Sequence, residues 1–437
     1  MRLVYVLLTY LLAPVLIAYE SWQALRDPGY RGRVRQRLGL GPALRRPAPL
    51  WIHAVSVGEV QAASALVHEL RRRDPGLPIV MTTVTPTGAA RVRALFEDAV
   101  IHRYLPYDLP GSVRRFLDRI APCAAVILET EIWPTLYDAL ARRDIPLVLG
   151  SARLSERSVS RYRRMPSLLR HALSGRVEIG AQTTLDAERF RAIGARPDHV
   201  HVTGNVKYDL TVPTAQVESG RDMRRHWDPA RPVWVAGSTH EGEETAALAA
   251  HASVRATRGD ALLVLVPRHP QRFESVRELL VRERVPHAQR SRAELPTRDH
   301  AVLLVDTLGE LPMFYAAADV AFVGGSLVPI GGHSVLEPAV LGLPVISGPY
   351  MQNATEAVRL LERAGALRTV RDAGELGHAV REWFDAPDRA RAAGAAAREA
   401  VAANRGAVAR LLALIEPLLV RASGAPPATT STPSGTR

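Results

Sequence analysis

The chain has 437 residues, a length typical of two or three domains, and 47% of them are hydrophobic, so large cores are possible. A single cysteine, Cys123, excludes an internal disulfide and a cysteine-based metal site, and it fits a reducing compartment. The net charge of +12 is compatible with anionic lipid, a phosphorylated substrate or nucleic acid, but aromatics are only 5% and no basic run contains them, which argues against nucleic acid.

The first predicted element is an apolar helix over Leu3–Tyr19, interrupted by Pro14. About 17 residues is the lower limit for crossing a bilayer of roughly 30 Å. Five arginines follow within the next eighteen residues, and this excess predicts that the remaining chain lies on the cytoplasmic side. We therefore expect a membrane anchor over residues 1–22. A cleaved signal peptide and a buried core helix are the alternatives.

Buried strands alternate with helices along the rest of the chain, a pattern typical of parallel sheets wrapped by helices. The two series predict Rossmann-like domains over residues 23–207 and 232–421. A polar segment without clear periodicity, residues 208–231, is the expected linker, and the Ala/Pro/Ser/Thr-rich residues 422–437 are expected to be disordered. The predicted strands are Leu50–Ser56, Ile79–Val84, Ile101–Leu105, Ala124–Leu128, Leu147–Gly150, Val177–Ala181, Val200–Thr203, Val233–Ala236, Leu262–Val266, Val302–Val305, Val320–Val323, Val345–Ile346 and Leu367–Val370.

A glycine-rich run from Val323 to Pro338 follows a predicted strand and opens a predicted helix over Val335–Leu341, with Ser334 as its expected cap. Glycine lets backbone N–H groups approach a ligand, and a helix N-terminus favours an anion, so the run predicts a phosphate-binding loop. The carboxylate of Glu337 is suited to accept the hydroxyl groups of a ribose. An ordinary strand–turn–helix connection that uses glycine for tight packing is the alternative. The candidate contacts in the loop are Gly325, Ser326, Gly332 and His333.

Three acids follow predicted strands of the first domain. Glu59 stands at a helix start, where a general base could act, although a first-turn acid that complements the helix dipole is common. Glu129 and Glu131 end another strand and could instead pair with arginines. Lysine and arginine together number 56, yet Lys207 is the only lysine. This indicates a site that needs a compact, flexible cation rather than a planar one, with a chance survivor as the alternative.

Further polar residues stand after strand ends, where ligands of parallel α/β sheets bind. Arg268, held between two prolines, is suited to a phosphate. HExxH and close Asp/His clusters are absent from the sequence, so we expect no essential metal. The other candidates are Ser56, Gly58, Thr87, Gly88 and Arg153 in the first domain and Pro267, His269, Leu308, Gly309 and Glu310 in the second.

These motifs, in this order, resemble those of the 3-deoxy-D-manno-octulosonic acid (Kdo) transferases of lipopolysaccharide synthesis. The matching segments are HAVSVGE (53–59), TTVTPTG (82–88), YLPYD (104–108), LETEIWP (128–134), ARLS (152–155), TGNVKYD (203–209), STHEGEE (238–244), VPRHP (266–270), GELPMFYAAADVAFVGGSLVPIGGH (309–333) and LEP (336–338).

The resemblance implies an α/β GT-B glycosyltransferase fold, in which two Rossmann-like domains face a cleft. It also implies inverting transfer of Kdo from CMP-Kdo to a lipid A precursor at the inner membrane. Glu59 would be the general base, and Glu129 and Lys207 would stabilise the transition state. The implied CMP site comprises Pro267, Arg268, Leu308, Gly309, Glu310, Ser334, Val335, Leu336 and Glu337.

The sequence departs from the family pattern at Ser334-Val335, where Asn-Pro is usual, and this leaves one contact to CMP open. Two other functions remain as alternatives. The first is a GT-B transferase or epimerase that uses a UDP-sugar. The second is a non-catalytic, membrane-bound scaffold of the same fold, against which Glu59 and Arg268 argue.

Overall fold

The computed structural model describes residues 2–30, 32–44, 48–163, 166–173 and 175–423. They form two compact units. The first comprises the residues up to Asp209 together with those from Arg405 onward, and the second comprises Leu210–Asn404. From position 424 onward, the predicted tail lies outside the described residues.

The first unit is built on a parallel sheet of seven strands in the order β3-β2-β1-β4-β5-β6-β7. Helices connect successive strands and cover the faces of the sheet. The elements are α1 (Arg2–Arg26), α2 (Arg33–Arg37), β1 (Leu50–His53), α3 (Val57–Arg73), β2 (Ile79–Thr83), α4 (Pro86–Phe96), β3 (Ile101–Tyr104), α5 (Pro110–Ile120), β4 (Ala124–Leu128), α6 (Pro134–Arg142), β5 (Leu147–Ala152), α7 (Glu156–Tyr162), α8 (Pro166–Leu173), β6 (Val177–Ala181), α9 (Thr184–Ala192) and β7 (Val200–Val202).

The central strands of this sheet are apolar because they are covered on both faces, and every residue of β1, β2, β4 and β5 is buried. Strand order reverses between β1 and β4, which pair in parallel from Leu50 with Ala124 to His53 with Ile127. At such a reversal the two following loops diverge and leave a crevice at the carboxyl ends of the strands. The loops after β1 and β4 are therefore where this unit can bind a ligand.

The second unit has a parallel sheet in the order β10-β11-β9-β8-β12-β13-β14, with the reversal between β8 and β12. Its elements are α10 (Thr214–His226), β8 (Val233–Thr239), α11 (Glu243–Arg255), β9 (Leu262–Pro267), α12 (Phe273–Arg282), β10 (His287–Gln289), β11 (Val302–Leu304), α13 (Leu311–Ala316), β12 (Val320–Val323), α14 (Leu336–Val340), β13 (Val345–Ser347), α15 (Thr355–Arg363), β14 (Leu367–Thr369), α16 (Ala373–Asp385) and α17 (Pro387–Ala403).

Every predicted strand is present, with bounds that differ by up to three residues. Only β10 was not predicted. It is three residues long and has no apolar run, and it is a strand because it pairs with β11 at the edge of the sheet.

The prediction of a linker over residues 208–231 is wrong, because α10 lies within this segment and belongs to the second unit. Gly220 is its only buried residue, which explains why the sequence shows no apolar periodicity. A Cβ on Gly220 would lie 2.2 Å from the carbonyl oxygen of Met313, so glycine lets α10 approach α13 closely. Arg224 adds an ion pair with Asp319 at 2.9 Å.

The last helix, α18 (Ala407–Ser423), packs in the first unit, whereas the sequence assigned residues 232–421 to the second domain. Leu411 of α18 is fully buried among residues of the first sheet. Gly150 in β5 leaves room for it, since a Cβ there would lie 2.9 Å from Leu411 Cδ2. The carboxylate of Asp209 accepts two backbone N–H groups at the start of α18, each at 2.6 Å, and so fixes where the helix begins.

The predicted apolar helix at the N-terminus is confirmed as α1, which contains Pro14. Within the described ranges it is the one helix that is long and apolar enough to cross a membrane, judged by length and composition. It also contacts the first unit, because its Ala13 and Ile17 pack against Tyr107 and Leu109.

Replacing Leu411 by alanine should lower the free energy of unfolding of the first unit by about 2–5 kcal/mol, because a cavity would open between α18 and the sheet. Hydrogen exchange followed by mass spectrometry should show lost protection in β4 and β5, with β8 and β12 unchanged. Val281→Ala, at an exposed position of the second unit, is the control. Loss of protection confined to the second unit would contradict this packing.

Candidate active site

Glu59 lies in the first turn of α3, next to the reversal of strand order in the first sheet. Its Oε2 accepts the backbone N–H of Val55 at 2.7 Å, and the Ser56 hydroxyl donates to Oε1 over a long 3.5 Å. A carboxylate in the first turn of a helix commonly reaches back to an upstream amide in this way. One oxygen of Glu59 is therefore held by the backbone, and among the described residues the other has only the weak contact with Ser56.

Burial raises the pKa of Glu59 to about 7. The N–H of Val55 opposes the shift in pKa, the charges of Glu129 and Glu131 add to it, and Lys207 opposes it. General bases are most effective when their pKa lies near the working pH. The structure thus brings these three acids and the lysine into one electrostatically coupled group, in which Glu59 is suited to accept a proton at neutral pH.

The side chain of Lys207 is paired with Glu129, and Nζ lies 2.5 Å from Oε1. Glu129 directly follows β4 and has a φ of 59°, a left-handed conformation that is costly for a residue with a side chain. Such strain is concentrated at functional sites. The partner of Glu129 is thus the lone lysine, not one of the many arginines that the sequence offers.

The backbone around Lys207 is held by polar residues that sequence reasoning missed. Asn205 Oδ1 accepts the N–H of Lys207 at 3.0 Å, and the Ser151 hydroxyl accepts the N–H of Val206 at 3.3 Å. Gln182 in turn donates to the carbonyl of Ser151 at 2.9 Å. Ser151 has a φ of 53° at a register shift in β5. The only sequence signal for this network was the asparagine two residues before the lone lysine.

Glu131 is held by an indole. Its Oε2 accepts the N–H of Trp133 Nε1 at 2.9 Å, and its backbone carbonyl accepts the Tyr137 hydroxyl at 2.9 Å. Burial raises the pKa of Glu131. The partner of its carboxylate is therefore Trp133, not an arginine.

The remaining candidate residues of the first unit differ in whether they are exposed to a ligand or engaged within the unit. The backbone N–H of Gly88 donates to Thr85 Oγ1 at 3.0 Å in the first turn of α4, so this amide is already engaged within the unit. The side chains of Thr87 and Arg153 are exposed. Gly58 is exposed too, and a Cβ placed on it meets no described atom within 4 Å. Packing therefore does not explain the glycine at position 58.

In the second unit, the glycine-rich loop after β12 surrounds the buried carboxylate of Glu243. Glu243 Oε2 accepts the N–H of Gly325 at 2.6 Å, and Oε1 accepts those of Ser326 and Leu327 at 2.9 Å. Oε2 also accepts the N–H of His240 at 2.9 Å. The prediction that the amides of Gly325 and Ser326 face a phosphate is therefore wrong, because a carboxylate of the protein itself is their acceptor.

The rest of the loop is closed on itself. The N–H of Gly332 donates to the carbonyl of Gly325 at 2.7 Å, and that of His333 donates to the carbonyl of Gly324 at 3.2 Å. The buried Ser326 hydroxyl donates to the carbonyl of Val323 at 2.5 Å. These contacts make the loop a rigid support for side chains rather than a row of amides open to a ligand.

The helix after the loop, α14, begins at Leu336 with Val335 at the cap position and no side-chain hydrogen bond there. The predicted cap, Ser334, is exposed, so this prediction is wrong. Val335 and Leu336 are buried in the core, and Glu337 is half-buried in the first turn. At this point only Ser334 and Glu337 are accessible to a ligand.

Three histidines come together at the carboxyl ends of β8, β9 and β12. His240 and His333 stack with their Nε2 atoms 2.8 Å apart, and His269 packs edge-on against His240 at 5.2 Å. A Cβ on Gly325 would lie 3.0 Å from the His333 ring, so this glycine leaves space for the stack. Within the described ranges no three His, Cys, Asp or Glu side chains are arranged to hold a metal ion.

Arg268 is the cation beside these histidines. Burial and then the charge of Arg268 lower the pKa of His333 to about 3, and burial likewise lowers the pKa of His240 and of His269. Among the residues that the structure describes, Arg268 forms no ion pair with a carboxylate, whereas nearby Arg272 pairs with buried Glu244 at 3.1 Å. A guanidinium without a carboxylate partner, next to neutral imidazoles, is suited to bind an anion.

Arg268 follows Pro267, the last residue of β9, and its backbone N–H donates to the carbonyl of Thr239 at 3.0 Å. That contact lies at a register shift between β8 and β9, where Ser238 has a φ of 57°. The position of the guanidinium is thus set by the sheet.

The turn after β11 contains Leu308, Gly309 and Glu310, which the family resemblance places in the CMP site. Leu308 is 66% exposed, and Gly309 has a φ of 84° with no described atom near its Cβ position. Glu310 pairs with Arg290 at 2.7 Å and accepts the hydroxyl of Thr307, and both contacts lower the pKa of Glu310. The carboxylate of Glu310 is thus engaged within the unit, and Leu308 and Gly309 remain accessible.

Comparison with known proteins identifies related sequences. A family model described as 3-Deoxy-D-manno-octulosonic-acid transferase (kdotransferase) matches residues 32–210. A 3-deoxy-D-manno-octulosonic acid transferase of Haemophilus influenzae is 40% identical over 423 residues, which cover 96% of this chain and 99% of that protein. Another, of Bordetella pertussis, is 39% identical over 431 residues, which cover 95% and 99%.

Among solved structures, a glycosyltransferase of Rickettsia africae aligns with a TM-score of 0.53 at 14% identity and covers 88% of this chain and 100% of that chain. This likeness concerns the fold alone. Together with the two parallel seven-stranded sheets, it confirms the predicted GT-B fold class with two Rossmann-like domains.

Replacing Glu243 by glutamine should destabilise the second unit by about 2–4 kcal/mol, because an amide supplies one acceptor oxygen for four N–H donors. Denaturant unfolding measures the loss, and hydrogen exchange should rise over residues 324–333. Glu241→Gln, two residues away on a side chain that is 90% exposed, is the matched control. Equal stability of the two variants would contradict the role of Glu243.

Stability should depend on pH through Glu59, because its pKa is about 7 in the fold and 4.5 ordinarily. As the pH rises, the unfolded chain loses this proton first, so the wild type is destabilised between about pH 4.5 and 7. The Glu59→Gln variant has no proton to lose at this position. The free energy of unfolding of the variant minus that of the wild type should therefore be about 1–3 kcal/mol larger at pH 8 than at pH 4. Urea unfolding at both pH values measures this, with exposed Asp98→Asn as control. An equal difference at both values would mean that Glu59 titrates normally.

Proposed function

The chain belongs to the family of 3-deoxy-D-manno-octulosonic acid (Kdo) transferases, and we propose that CMP-Kdo is its donor and a lipid A precursor its acceptor. It is a glycosyltransferase, as its near full-length relatives are. The observation that carries the proposal is the half-buried Glu59, whose pKa of about 7 suits a general base.

In the proposed reaction, Glu59 accepts the proton of an acceptor hydroxyl at its Oε1, while Oε2 stays bonded to the N–H of Val55. The acceptor oxygen forms a bond to the anomeric carbon of Kdo. The bond from that carbon to the phosphate oxygen breaks, and the electron pair leaves with CMP. Attack opposite the leaving group inverts the configuration. The fixed Oε2 contact holds the free oxygen ready for the hydroxyl, which avoids reorganisation during reaction.

Lys207 is proposed to offset negative charge in the transition state, since both CMP and the Kdo carboxylate are anionic. Glu129 orients the ammonium group, and Asn205 holds the backbone beneath it. A preorganised charge of this kind is usually a large contribution to catalysis. The proposal explains why a compact cation stands here in a chain whose other basic residues are arginines.

On the second unit, we propose that Arg268 and the three neighbouring histidines bind the phosphate of CMP. Arg268 has no ion pair among the described residues, and the imidazoles of His240, His269 and His333 are neutral, with one N–H each. Because His240 and His333 share a hydrogen bond between their Nε2 atoms, one of these two rings uses its N–H there, and the other ring and His269 can each donate one N–H. Glu337, half-buried in α14, has a carboxylate suited to accept the ribose hydroxyls, and the family resemblance includes it in the CMP site. No metal or other cofactor takes part in this proposal.

We also propose that the protein works at the cytoplasmic face of the inner membrane. The lipid acceptor is membrane-bound, and α1 exposes an apolar surface. Arginines flank the helix, and the net charge is +12, which favours an anionic membrane surface.

The test is purified protein with CMP-Kdo and a lipid A precursor in detergent, followed by mass spectrometry of the lipid. We expect addition of Kdo with CMP-Kdo and no transfer from UDP-sugars. Thermal shift should show stabilisation by CMP and little by UDP. Transfer from a UDP-sugar, or binding of CMP without any transfer, would overturn the proposal.

Glu59→Gln should retain its fold and lose about 10²–10⁴-fold in kcat, the usual contribution of a general base. Lys207→Arg should also lose most activity although it keeps the charge, because a planar guanidinium cannot reproduce the ammonium contact with Glu129. Rates with CMP-Kdo and the lipid acceptor measure both variants, and Asp98→Asn is the control. Near wild-type turnover of Glu59→Gln would remove the base from the mechanism.

A further inference from the structure

The N-terminal half of α1 is tied to the first unit by polar contacts. Arg2 lies 2.5 Å from Asp138, whose side chain is only 6% exposed. The hydroxyl of Tyr5 donates to Asp108 at 2.7 Å, and Asp108 also accepts two backbone N–H groups at the start of α6. These partners belong to the folded unit itself, so they fix the beginning of α1 against it.

The other end of α1 is tied to the same unit. Glu20 is buried and pairs with Arg37 at 2.5 Å and with Arg33 at 3.3 Å. A buried carboxylate is costly without such partners. Midway between the two ends, Ala13 packs against Tyr107, as described for the fold. Buried or half-buried positions of the helix, 2, 5, 9, 13, 17 and 20, recur every three or four residues, so one face of the helix follows the unit along its length.

The remaining faces of α1 are apolar and exposed. Of the twenty large hydrophobic residues exposed in the described part of the chain, twelve lie on this helix. Soluble proteins seldom collect exposed apolar residues in this way unless the surface has a binding partner. The twelve are Leu3, Val4, Leu7, Leu8, Tyr10, Leu11, Leu12, Val15, Leu16, Tyr19, Trp22 and Leu25.

The charges around this surface fit anionic lipid. Between Arg2 and Arg26 the exposed helix faces carry no charge, and the guanidinium of Arg26 lies over the Trp22 ring at 3.8 Å. Aromatic rings paired with basic groups are typical of the boundary between headgroups and acyl chains. A shallow groove beside the C-terminal half of α1 continues the apolar surface, with Val34, Leu38 and Leu40 in its lining and Arg35 among them.

We infer that α1 lies in the plane of the membrane surface, with its exposed faces in the acyl–headgroup boundary, and does not cross the bilayer. Arg2 and Glu20 are about 27 Å apart along the helix, close to the bilayer core of roughly 30 Å. If α1 crossed that core, both ends could not keep partners on one unit. The inference rests on the proposed membrane attachment and describes its geometry, which is that of an interfacial helix.

The depth of three positions tests this geometry in full-length protein with Cys123→Ser. Nitroxide labels are placed at Leu3→Cys, Leu11→Cys and Leu25→Cys, which lie within about 80° of one another around the helix. The protein is bound to vesicles of phosphatidylethanolamine and phosphatidylglycerol. We expect equal, shallow depths and reduction of all three labels by ascorbate added outside. A deep Leu11 label with the Leu3 label protected from ascorbate would overturn the inference.

Matched substitutions test the contact itself. Leu11→Asp should lower binding to the same vesicles at least about tenfold, because a charge enters the apolar boundary. Val281→Asp, at an exposed valine of the second unit, should bind as wild type. Equal binding of both variants, or α1 labels buried in a dimer without vesicles, would overturn the inference. Kdo transfer in detergent is measured separately, so a failure here is distinguishable from failure of the proposed reaction.

Discussion

Backbone N–H groups in loops that lead into helices need acceptors, and in both units carboxylates supply them. Glu243 accepts four such groups, and Asp209 accepts two. Glu59 accepts only one. This difference decides what each acid can do. Both oxygens of Glu243 are filled, so it serves the loop, whereas Glu59 keeps one oxygen for a proton.

The same comparison explains how the charges are distributed within each unit. In the first, burial raises the pKa of Glu59, the charges of Glu129 and Glu131 add to the shift, and the charge of Lys207 opposes it. In the second, Arg268 has no carboxylate partner among the described residues and lies beside three neutral histidines, which suits the phosphate proposed above. Each unit is thus suited to a group that the proposed substrates bring. In the first unit Glu59 can accept the proton of the acceptor hydroxyl, and in the second Arg268 can bind the phosphate of CMP.

Much of the fold could be read from the sequence because its strands are continuous apolar runs, and such runs identify strands buried on both faces. Elements that are stabilised by tertiary contacts, and that lack an apolar run, could not be predicted from the sequence. β10 exists through pairing with β11, and α10 buries only Gly220. The apolar spacing of α18 was visible, but nothing in it indicated that Leu411 belongs with the first sheet, more than 250 residues earlier in the chain.

The candidate site shows the same limit. Position after a strand end was sufficient to indicate Glu59, Glu129 and Arg268. It could not show that Gly325 and Ser326 donate to Glu243, since this contact joins loops 82 and 83 residues apart. Nor could it distinguish Ser334 from Val335 at the cap of α14, because φ and side-chain direction decide that position.

The return of α18 to the first unit also bears on how the protein is made. The first sheet is synthesised by Val202, yet the helix that completes its core follows Asn404. At about 5–20 residues per second, the ribosome needs about 10–40 s to add the intervening chain. During that interval Gly150 and its neighbours face water where Leu411 will pack. A nascent chain with this surface open is a natural client for a chaperone, and the second unit, which is continuous in sequence, can finish folding before the first.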